Sequence, residues 1–302
     1  MQKKALITGV TGFIGGALAR CLVENGWSVA LIVRKESDTS QIMDILNKSA
    51  EVHIYDGSEE SLITAMSDSK PDVVFHLASL VVIEHQSHEI PSLITSNVLF
   101  GSQLLDAMVK AGVTHMVNAG TIWQFVGKDK DQAVNFYAAT KQAFEKIVDY
   151  YHDAFGVSAI TLVLADTYGV GDRRPKLMNY LIRALDDVEV LKLTPGDQVI
   201  DVSHVRDVAK SFQLAAIKLI ESPAPIRMSL AVSGTRLSVK QLVKTIESVA
   251  QRGLNVQFGV RPYRFREVMI LPQISELEAD WEKVKLIEGV RELIEASRSS
   301  AK

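Results

Sequence analysis

Short runs of β-branched and aliphatic residues alternate with segments of helical period through the first half of the chain. Runs of strand length lie at Lys4–Thr8, Ser28–Val33, Glu51–Tyr55, Asp72–Ala78, Val113–Asn118 and Ser158–Leu164. Between them, Phe13, Ile14, Ala17, Leu18, Cys21 and Leu22 repeat at helical spacing and stop at Asn25-Gly26, a C-terminal helix signal. Val98, Leu104, Leu105, Met108 and Ala111 repeat in the same way up to Gly112, and Ala143, Phe144, Ile147, Val148 and Tyr151 do so before Gly156. Strands that are nearly all apolar, each followed by a helix, predict an α/β fold: a Rossmann-type doubly wound parallel sheet buried on both faces.

The regularity loosens after residue 166. Prolines 175, 195, 223, 225, 262 and 272 interrupt the second half. Helical segments are expected at 177–187, 205–220 and 238–252, with short strands at Val188–Leu193 and Ile226–Val232. The division expected is a dinucleotide-binding domain over 1–166, rejoined by about 197–221. A smaller, mixed substrate-binding lobe takes 167–196 and 222–302.

Composition narrows the class. The chain has 302 residues, of which 47% are hydrophobic and 23% charged, so a packed globular protein is expected and disorder is not. No apolar run approaches the roughly 18 residues of a membrane span. The N-terminus passes through Lys3-Lys4 straight into a strand, without an apolar stretch of signal-peptide length, so a cytoplasmic location is expected. A single cysteine, Cys21, excludes a disulfide framework or a cysteine metal cage. The formal charge of −3, from 33 basic and 36 acidic residues, gives no electrostatic reason to expect nucleic acid or an anionic membrane as partner.

The first strand runs into Thr8-Gly9-Val10-Thr11-Gly12-Phe13-Ile14-Gly15. Glycines 9, 12 and 15 lie between a strand and an amphipathic helix. Such a loop allows a tight turn, close approach of backbone to a pyrophosphate and close helix packing, with the helix N-terminus facing the phosphates. An acid that would bind an adenine ribose is expected about 20 residues further on. Here the second strand ends Val33-Arg34-Lys35, with no acid before Glu36. Arg34 and Lys35 suit a 2′-phosphate, so NADP(H) is favoured, with NAD(H) possible. Asp56, before Gly57, could accept from the adenine amino group or serve as a turn residue.

Tyr137 and Lys141 stand four apart at the start of a predicted helix and share a face. A nearby ammonium favours a phenolate, so such a tyrosine can exchange a proton with an alcohol or ketone oxygen. Thr121, expected just past the fifth strand, could orient the same oxygen.

Together these motifs resemble the extended short-chain dehydrogenase/reductases, the NAD-dependent epimerase/dehydratase family. The resemblance also rests on His76-Leu77-Ala78, Asn97-Val98-x-x-Gly101, Tyr168-Gly169 and His204-Val205-x-Asp207-Val208. It implies Thr121, Tyr137 and Lys141 as catalytic residues. It implies cofactor contacts at Gly9, Thr11, Gly12, Phe13, Ile14, Gly15, Arg34, Lys35, Asp56, Gly57, Leu77, Ala78, Ser79, Asn97, Tyr137, Lys141 and Thr167. A homodimer through the helices near 96–111 and 137–154 is also implied. The segments Asn118–Gln124, Tyr137–Glu145 and Asp166–Leu177 are similar to the CDP-abequose synthase type of sugar-nucleotide 4-ketoreductase. That subgroup implies substrate contacts at Thr121, Trp123, Gln124, Asp166, Arg174, Lys176 and Leu177. Asp166 stands where the wider family commonly has Asn, and Ala119-Gly120 where it has serines.

Family dehydratases place an Asp-Glu pair after the catalytic Thr. Here Ile122-Trp123 follows, so NADPH-dependent reduction of a nucleoside-diphosphate 4-keto-deoxy sugar at C4 is expected, with an NAD-retaining 4-epimerase as the alternative. Arg173, Arg206, Arg261, Arg264 and Arg266 join Arg174 and Lys176 as candidate partners of the substrate's pyrophosphate. Glu84-His85-x-x-His88-Glu89 has metal-ligand residue types, but reads as a solvated loop, and no metal is expected.

Overall fold

A computed structural model describes residues 2–47, 50–126, 132–278 and 280–300. The strands are β1 (Lys4–Thr8), β2 (Ser28–Arg34), β3 (Glu51–Tyr55), β4 (Val73–His76), β5 (His115–Thr121), β6 (Ser158–Leu164), β7 (Asp166–Tyr168), β8 (Leu191–Lys192), β9 (Val199–His204), β10 (Arg227–Val232), β11 (Thr235–Ser238) and β12 (Val256–Gln257). The α-helices are α1 (Phe13–Glu24), α2 (Met43–Leu46), α3 (Glu59–Ser69), α4 (Ile90–Ile94), α5 (Phe100–Lys110), α6 (Phe136–Phe155), α7 (Leu177–Arg183), α8 (Val205–Ile220), α9 (Val239–Ala250) and α10 (Leu286–Ser300).

The chain forms two compact units. The first comprises Met1–Leu164, Val208–Val232 and Ile274–Leu277. It holds a seven-stranded sheet in the order β10-β6-β5-β4-β1-β2-β3, with every pairing parallel. Successive strand residues feed opposite faces, as the period of 2 requires. Ile7 and Phe75 pack with Leu18 and Leu22 of α1 and Phe212 and Leu219 of α8. Leu6 and Val74 pack with Leu62 of α3, Leu104 and Met108 of α5 and Phe144 of α6. Both faces are therefore covered, as the apolar strands foretold.

The helices are ended by local chemistry. The Asn135 side chain accepts from the N–H of Ala138 to cap α6, and Gly156, at φ +69°, closes its other end. Ser58 caps α3 by accepting from the N–H of Ser61. The stripe that begins at Val98 in the sequence is part of a longer run. It starts at α4, passes through a π-helical turn at Thr95–Leu99 and continues as α5.

The second unit comprises Ala165–Asp207, Ser233–Gln273 and Glu278–Lys302. It contains a three-stranded sheet, β11-β9-β7, and the pair β12-β8. Its core gathers Met178 and Leu181 of α7, Leu242 and Ile246 of α9, and Val290 and Ile294 of α10.

Several sequence expectations are corrected. The run at Ile226–Val232, assigned to the smaller lobe, is the seventh strand of the large sheet, because β10 pairs in parallel with β6 over six residues. Residues 197–207, expected to rejoin the first domain, fall in the second unit. The fifth strand runs from His115 to Thr121, so Thr121 ends it rather than following it. Of Val188–Leu193 only Leu191–Lys192 pairs. Helices α3 and α10 were not anticipated.

Gly101 sets the approach of α5 to α6. A Cβ there would lie 2.4 Å from the ring of Phe144, a side chain with no exposure. Gly101→Ala is therefore expected to lower stability by about 1–3 kcal/mol, the usual cost of overpacking a core. A melting-temperature drop of several degrees in thermal denaturation would be the readout, partly recovered by Phe144→Leu in the same chain.

Candidate active site in the first unit

The glycine loop is built by close approach. Gly9 has φ +73°, and its carbonyl accepts from the N–H of Gly12 at 3.0 Å. A Cβ on Gly9 would lie 2.5 Å from the amide nitrogen of Ala78, and one on Gly15 would lie 2.2 Å from the carbonyl oxygen of Gly9. Only glycine allows the loop to lie against both the chain leaving β4 and the first turn of α1. Gly12 caps α1 without a side-chain hydrogen bond, and no acidic residue stands in the helix's first turn. Its positive end thus keeps its field for an anion.

Beside the loop is a cavity of about 380 Å³. Gly9, Thr11, Gly12, Arg34, Leu77, Ala78 and Ser79 line it, all named from the sequence. Thr8, Ile32, Val33, Ser37, Tyr55, Leu80, Thr95, Ser96 and Phe100 also line it and were missed. No aspartate or glutamate is among the lining residues, and Arg34 is the one cation. Ser37 accepts at Oγ from the N–H of Arg34 at 3.1 Å, closing the turn after β2. Phe13, Ile14, Gly15, Lys35, Asp56, Gly57, Asn97, Tyr137 and Lys141 are not in its lining. Asp56 accepts from the N–H and hydroxyl of Ser58, at 2.9 and 2.6 Å, and these bonds hold its carboxyl below the usual range. It acts as a turn residue before α3.

Asn97 was expected to touch a cofactor; instead it holds the cavity wall. Its oxygen accepts from the Ser79 hydroxyl at 3.0 Å and the Leu80 N–H at 2.8 Å. Its amide donates to the Leu80 carbonyl at 2.9 Å and to Thr140 Oγ1 at 3.0 Å. These four bonds fill its capacity.

Under the loop, Thr8 Oγ1 lies 2.9 Å from Nδ1 of His76 and accepts from the N–H of Ala78 at 3.2 Å. With one lone pair given to the Ala78 amide, Thr8 Oγ1 keeps a proton and a second lone pair, so it can hold Nδ1 of the imidazole in either tautomer. Burial, and then Lys141, push His76 down to about 3, so the ring is neutral near pH 7.

The proposed catalytic side chains sit around the end of β5 and the start of α6. Tyr137 is 8% exposed and Lys141 1%, so α6 turns both inward. Burial pulls Lys141 down to about 8, while the charge of Glu145 works against it. The Lys141 ammonium lies 5.8 Å from the centre of the Phe144 ring. Thr121 begins a 3₁₀ turn, Ile122–Gln124. Gln124, expected to line a sugar pocket, is fully buried. Its oxygen accepts from the N–H of Thr121 and its amide donates to Glu145, both at 2.7 Å. It holds Thr121 in place, with both ends of its amide bound inside the protein. Trp123 is half-buried, and its carbonyl accepts from the N–H of Val134 at 2.9 Å.

In the second unit, Thr167 is buried in β7. Arg174 clasps its own loop: Nε and Nη2 donate to Asp172 at 2.7 and 2.8 Å, and Nη2 to the Thr167 carbonyl at 2.9 Å. A loop-closing role replaces much of its expected use as a phosphate partner. Lys176 caps α7, ahead of Leu177, with its ammonium 3.7 Å from Asp166. Arg206 pairs with Glu292 and Arg264 with Glu267. In the first unit, the imidazole of His85 stacks on Phe136 at 4.7 Å, and Glu89 accepts from the N–H of Gln86 at 2.7 Å. Among the described residues no three metal-ligand side chains gather.

The chain is similar to known proteins along most of its length. The NAD dependent epimerase/dehydratase family matches residues 5–231. CDP-abequose synthase of Yersinia pseudotuberculosis is 25% identical over 274 residues, covering 88% of this chain and 90% of that protein. UDP-glucose 4-epimerase of Corynebacterium glutamicum is 28% identical over 299 residues, covering 90% and 88%. Among solved structures, UDP-glucose-4-epimerase from Stenotrophomonas maltophila, with bound NAD and formylated UDP-arabinopyranose, superposes with a TM-score of 0.85 at 20% identity, covering 99% of each chain. The family match spans the glycine loop, the cavity and the Tyr137/Lys141 helix, and the chain belongs to the NAD dependent epimerase/dehydratase family as an enzyme of the short-chain dehydrogenase/reductase type.

Proposed function

We propose that the protein reduces a nucleoside-diphosphate 4-keto-deoxy sugar at C4 with NADPH. The observation that carries the cofactor choice is the cavity wall after β2, where Arg34 and Ser37 stand and no carboxylate does. An adenine ribose with a free 2′-hydroxyl favours an acid there, and a 2′-phosphate favours Arg34. The first unit fits a dinucleotide on its own geometry. The glycine loop has room only for backbone, the uncapped α1 N-terminus favours phosphate, and the cavity beside it has the lining for an adenosine. Gly9, Thr11 and Gly12 would hold the pyrophosphate. When bound, the nicotinamide supplies the hydride.

The chain's own residues manage the proton. Tyr137 donates its phenolic proton to O4 as charge develops there, and the Thr121 hydroxyl holds the same oxygen. With Lys141 near 8, its ammonium form predominates at pH 7 and stabilises the phenolate left on Tyr137. The choice of substrate is supported by the similarity to CDP-abequose synthase. Ile122-Trp123 after Thr121 offers no acid–base pair for loss of water. Trp123, Asp166, Lys176 and Leu177 are the proposed substrate contacts. A homodimer and a cytoplasmic location complete the reading. On the helices expected to form the dimer, Leu99 and Tyr150 are 49% and 58% exposed.

A second reading, an NAD-retaining 4-epimerase, is favoured by the comparable identity to UDP-glucose 4-epimerase. A spectrophotometric assay with CDP- and dTDP-linked 4-keto-6-deoxy sugars separates them. The reductase consumes NADPH in step with sugar; turnover without net cofactor loss means the epimerase. Tyr137→Phe should lower kcat by about 10²-fold or more, the usual range for a lost general acid, with NADPH affinity intact. Unchanged kcat would remove Tyr137 from the mechanism. Arg34→Ala should weaken NADPH by about tenfold or more, as expected for a lost charge-assisted bond, and leave NADH nearly unaffected in fluorescence titrations. Equal weakening of both would return Arg34 to a surface role.

A further inference from the structure

Glu145 has no part in the chemistry above, yet it is 7% exposed and stands one turn beyond Lys141 on α6. Its two oxygens accept hydrogen bonds from three side chains. Gln124 Nε2 donates at 2.7 Å, Ser229 Oγ at 2.6 Å and Arg227 Nη2 at 3.1 Å. Gln124 spends its other end on the N–H of Thr121, and its carbonyl accepts from the amide of Gln142. An unbroken path of hydrogen bonds therefore runs from Thr121, at the end of β5, through α6 to Arg227 and Ser229 on β10. Arg227 is held in turn by Asp149, its Nε 2.9 Å from Oδ1.

We propose that Glu145 and Gln124 are positioning residues for the reaction, together fixing the backbone of Thr121 and setting a carboxylate one turn beyond Lys141 on α6. The inference rests on the assignment of Thr121, Tyr137 and Lys141 made above.

The polarity of the path requires these two residue types. The N–H of Thr121 only donates, so Gln124 must turn its oxygen there and its amide towards residue 145. A carboxylate at 145 accepts from Gln124, Ser229 and Arg227 at once. An amide at 145 cannot do so without a donor facing a donor, either at Arg227 or, if Gln124 flips, at Thr121. Among the described residues, Glu145 on its own helix raises the Lys141 pKa, Tyr137 stands one turn before it on α6, and His76 on β4, pushed down by burial and by Lys141, stays neutral near pH 7. Glu145 faces Lys141 and Arg227. Loss of its charge leaves burial unopposed at Lys141, so the amine deprotonates at lower pH.

The test compares wild type, Glu145→Gln, and the exchange Gln124→Glu/Glu145→Gln. The exchange remakes every hydrogen bond with the carboxylate and amide swapped. Glu145→Gln should lower kcat about tenfold, the rate equivalent of one lost bond to a charged group, at near-wild-type KM for NADPH. Its alkaline limb should move to lower pH, and the exchange should recover most of kcat. Lys141 can also be titrated without cofactor or substrate, by NMR of ¹³C-lysine protein assigned against Lys141→Met. It should titrate near 8 in wild type and lower in Glu145→Gln. A folded Glu145→Gln enzyme with wild-type kcat overturns the proposal, as does an unmoved Lys141 titration or an exchange no better than the single variant. If Glu145→Gln does not fold, Ser229→Ala removes one bond to the same carboxylate. A smaller fall in kcat at constant KM supports the proposal, and an unchanged kcat overturns it. The NMR titration stands whichever reaction is catalysed, so failure of the reductase assay alone overturns only the functional reading.

Discussion

The missing side chain at Gly9 sets the geometry of the first unit. The loop leaving β1 lies so close to the loop leaving β4 that a single carbon would reach within 2.5 Å of the Ala78 amide. These two strands are where the sheet changes direction. From β1 the chain builds outward through β2 to β3, then crosses back to β4 and builds the other way. At such a switch point the two outgoing loops diverge and leave a crevice at the carboxyl edge. The cavity is that crevice, and its residues come from the ends of β1, β2, β3 and β4 and from the helical run after β4. Parallel pairing on both sides of β1 keeps those ends in register, with Thr8 opposite both Ile32 and His76.

Around this close approach the polar side chains bind backbone and one another in equal measure. Thr8 ties β1 to His76 and Ala78, and Asn97 ties the π-helical turn to Ser79, Leu80 and Thr140. A π turn shifts the register of a helix by one residue relative to regular α winding. Here it lies where a fully buried amide must reach both a loop and the neighbouring α6. The rigidity of the crevice wall thus comes from filled hydrogen-bonding capacity, and a cofactor would meet surfaces already fixed.

The large sheet was legible because its inner strands are buried on both faces, and a run such as Ala5-Leu6-Ile7 has no polar competitor. Helix α8 was placed to the residue, but the strand after it, β10, was given to the wrong lobe. Its composition could not show which sheet it would join, since that depends on pairing with Ser158–Leu164, distant in sequence. Helix α3 was missed because its inward face, Leu62, Ala65, Met66 and Ser69, includes two small residues and carries a weak signal. In the site, the glycines and the Tyr137/Lys141 spacing were readable, since each needs a fixed residue type at a fixed interval. The cavity's Ile32, Val33 and Phe100 read as ordinary core from sequence, because an apolar lining has no chemical signature. Gln124 and Arg174 show the opposite difficulty. Their polar groups look available in a sequence, and only the structure reveals that Thr121, Glu145, Asp172 and Thr167 have already taken them.

The burial of charge near α6 follows a single logic. An isolated ammonium at 1% exposure is costly, and the depression of Lys141 to about 8 records that cost. An apolar residue in its place would pack without penalty, so the charge is maintained against the preference of the core. The carboxylate that opposes the penalty is buried too, and would be a second liability if it faced Lys141 alone. Arg227, Ser229 and Gln124 remove that liability by filling its oxygens, and Arg227 is itself held by Asp149 at 36% side-chain exposure. Charge is thus passed from the site towards the surface in steps, the last of them the ion pair of Arg227 with Asp149. An ammonium held in this way can remain close to its deprotonation point without unfolding its surroundings. A group beside a tyrosine that must pass between phenol and phenolate near neutral pH needs that property.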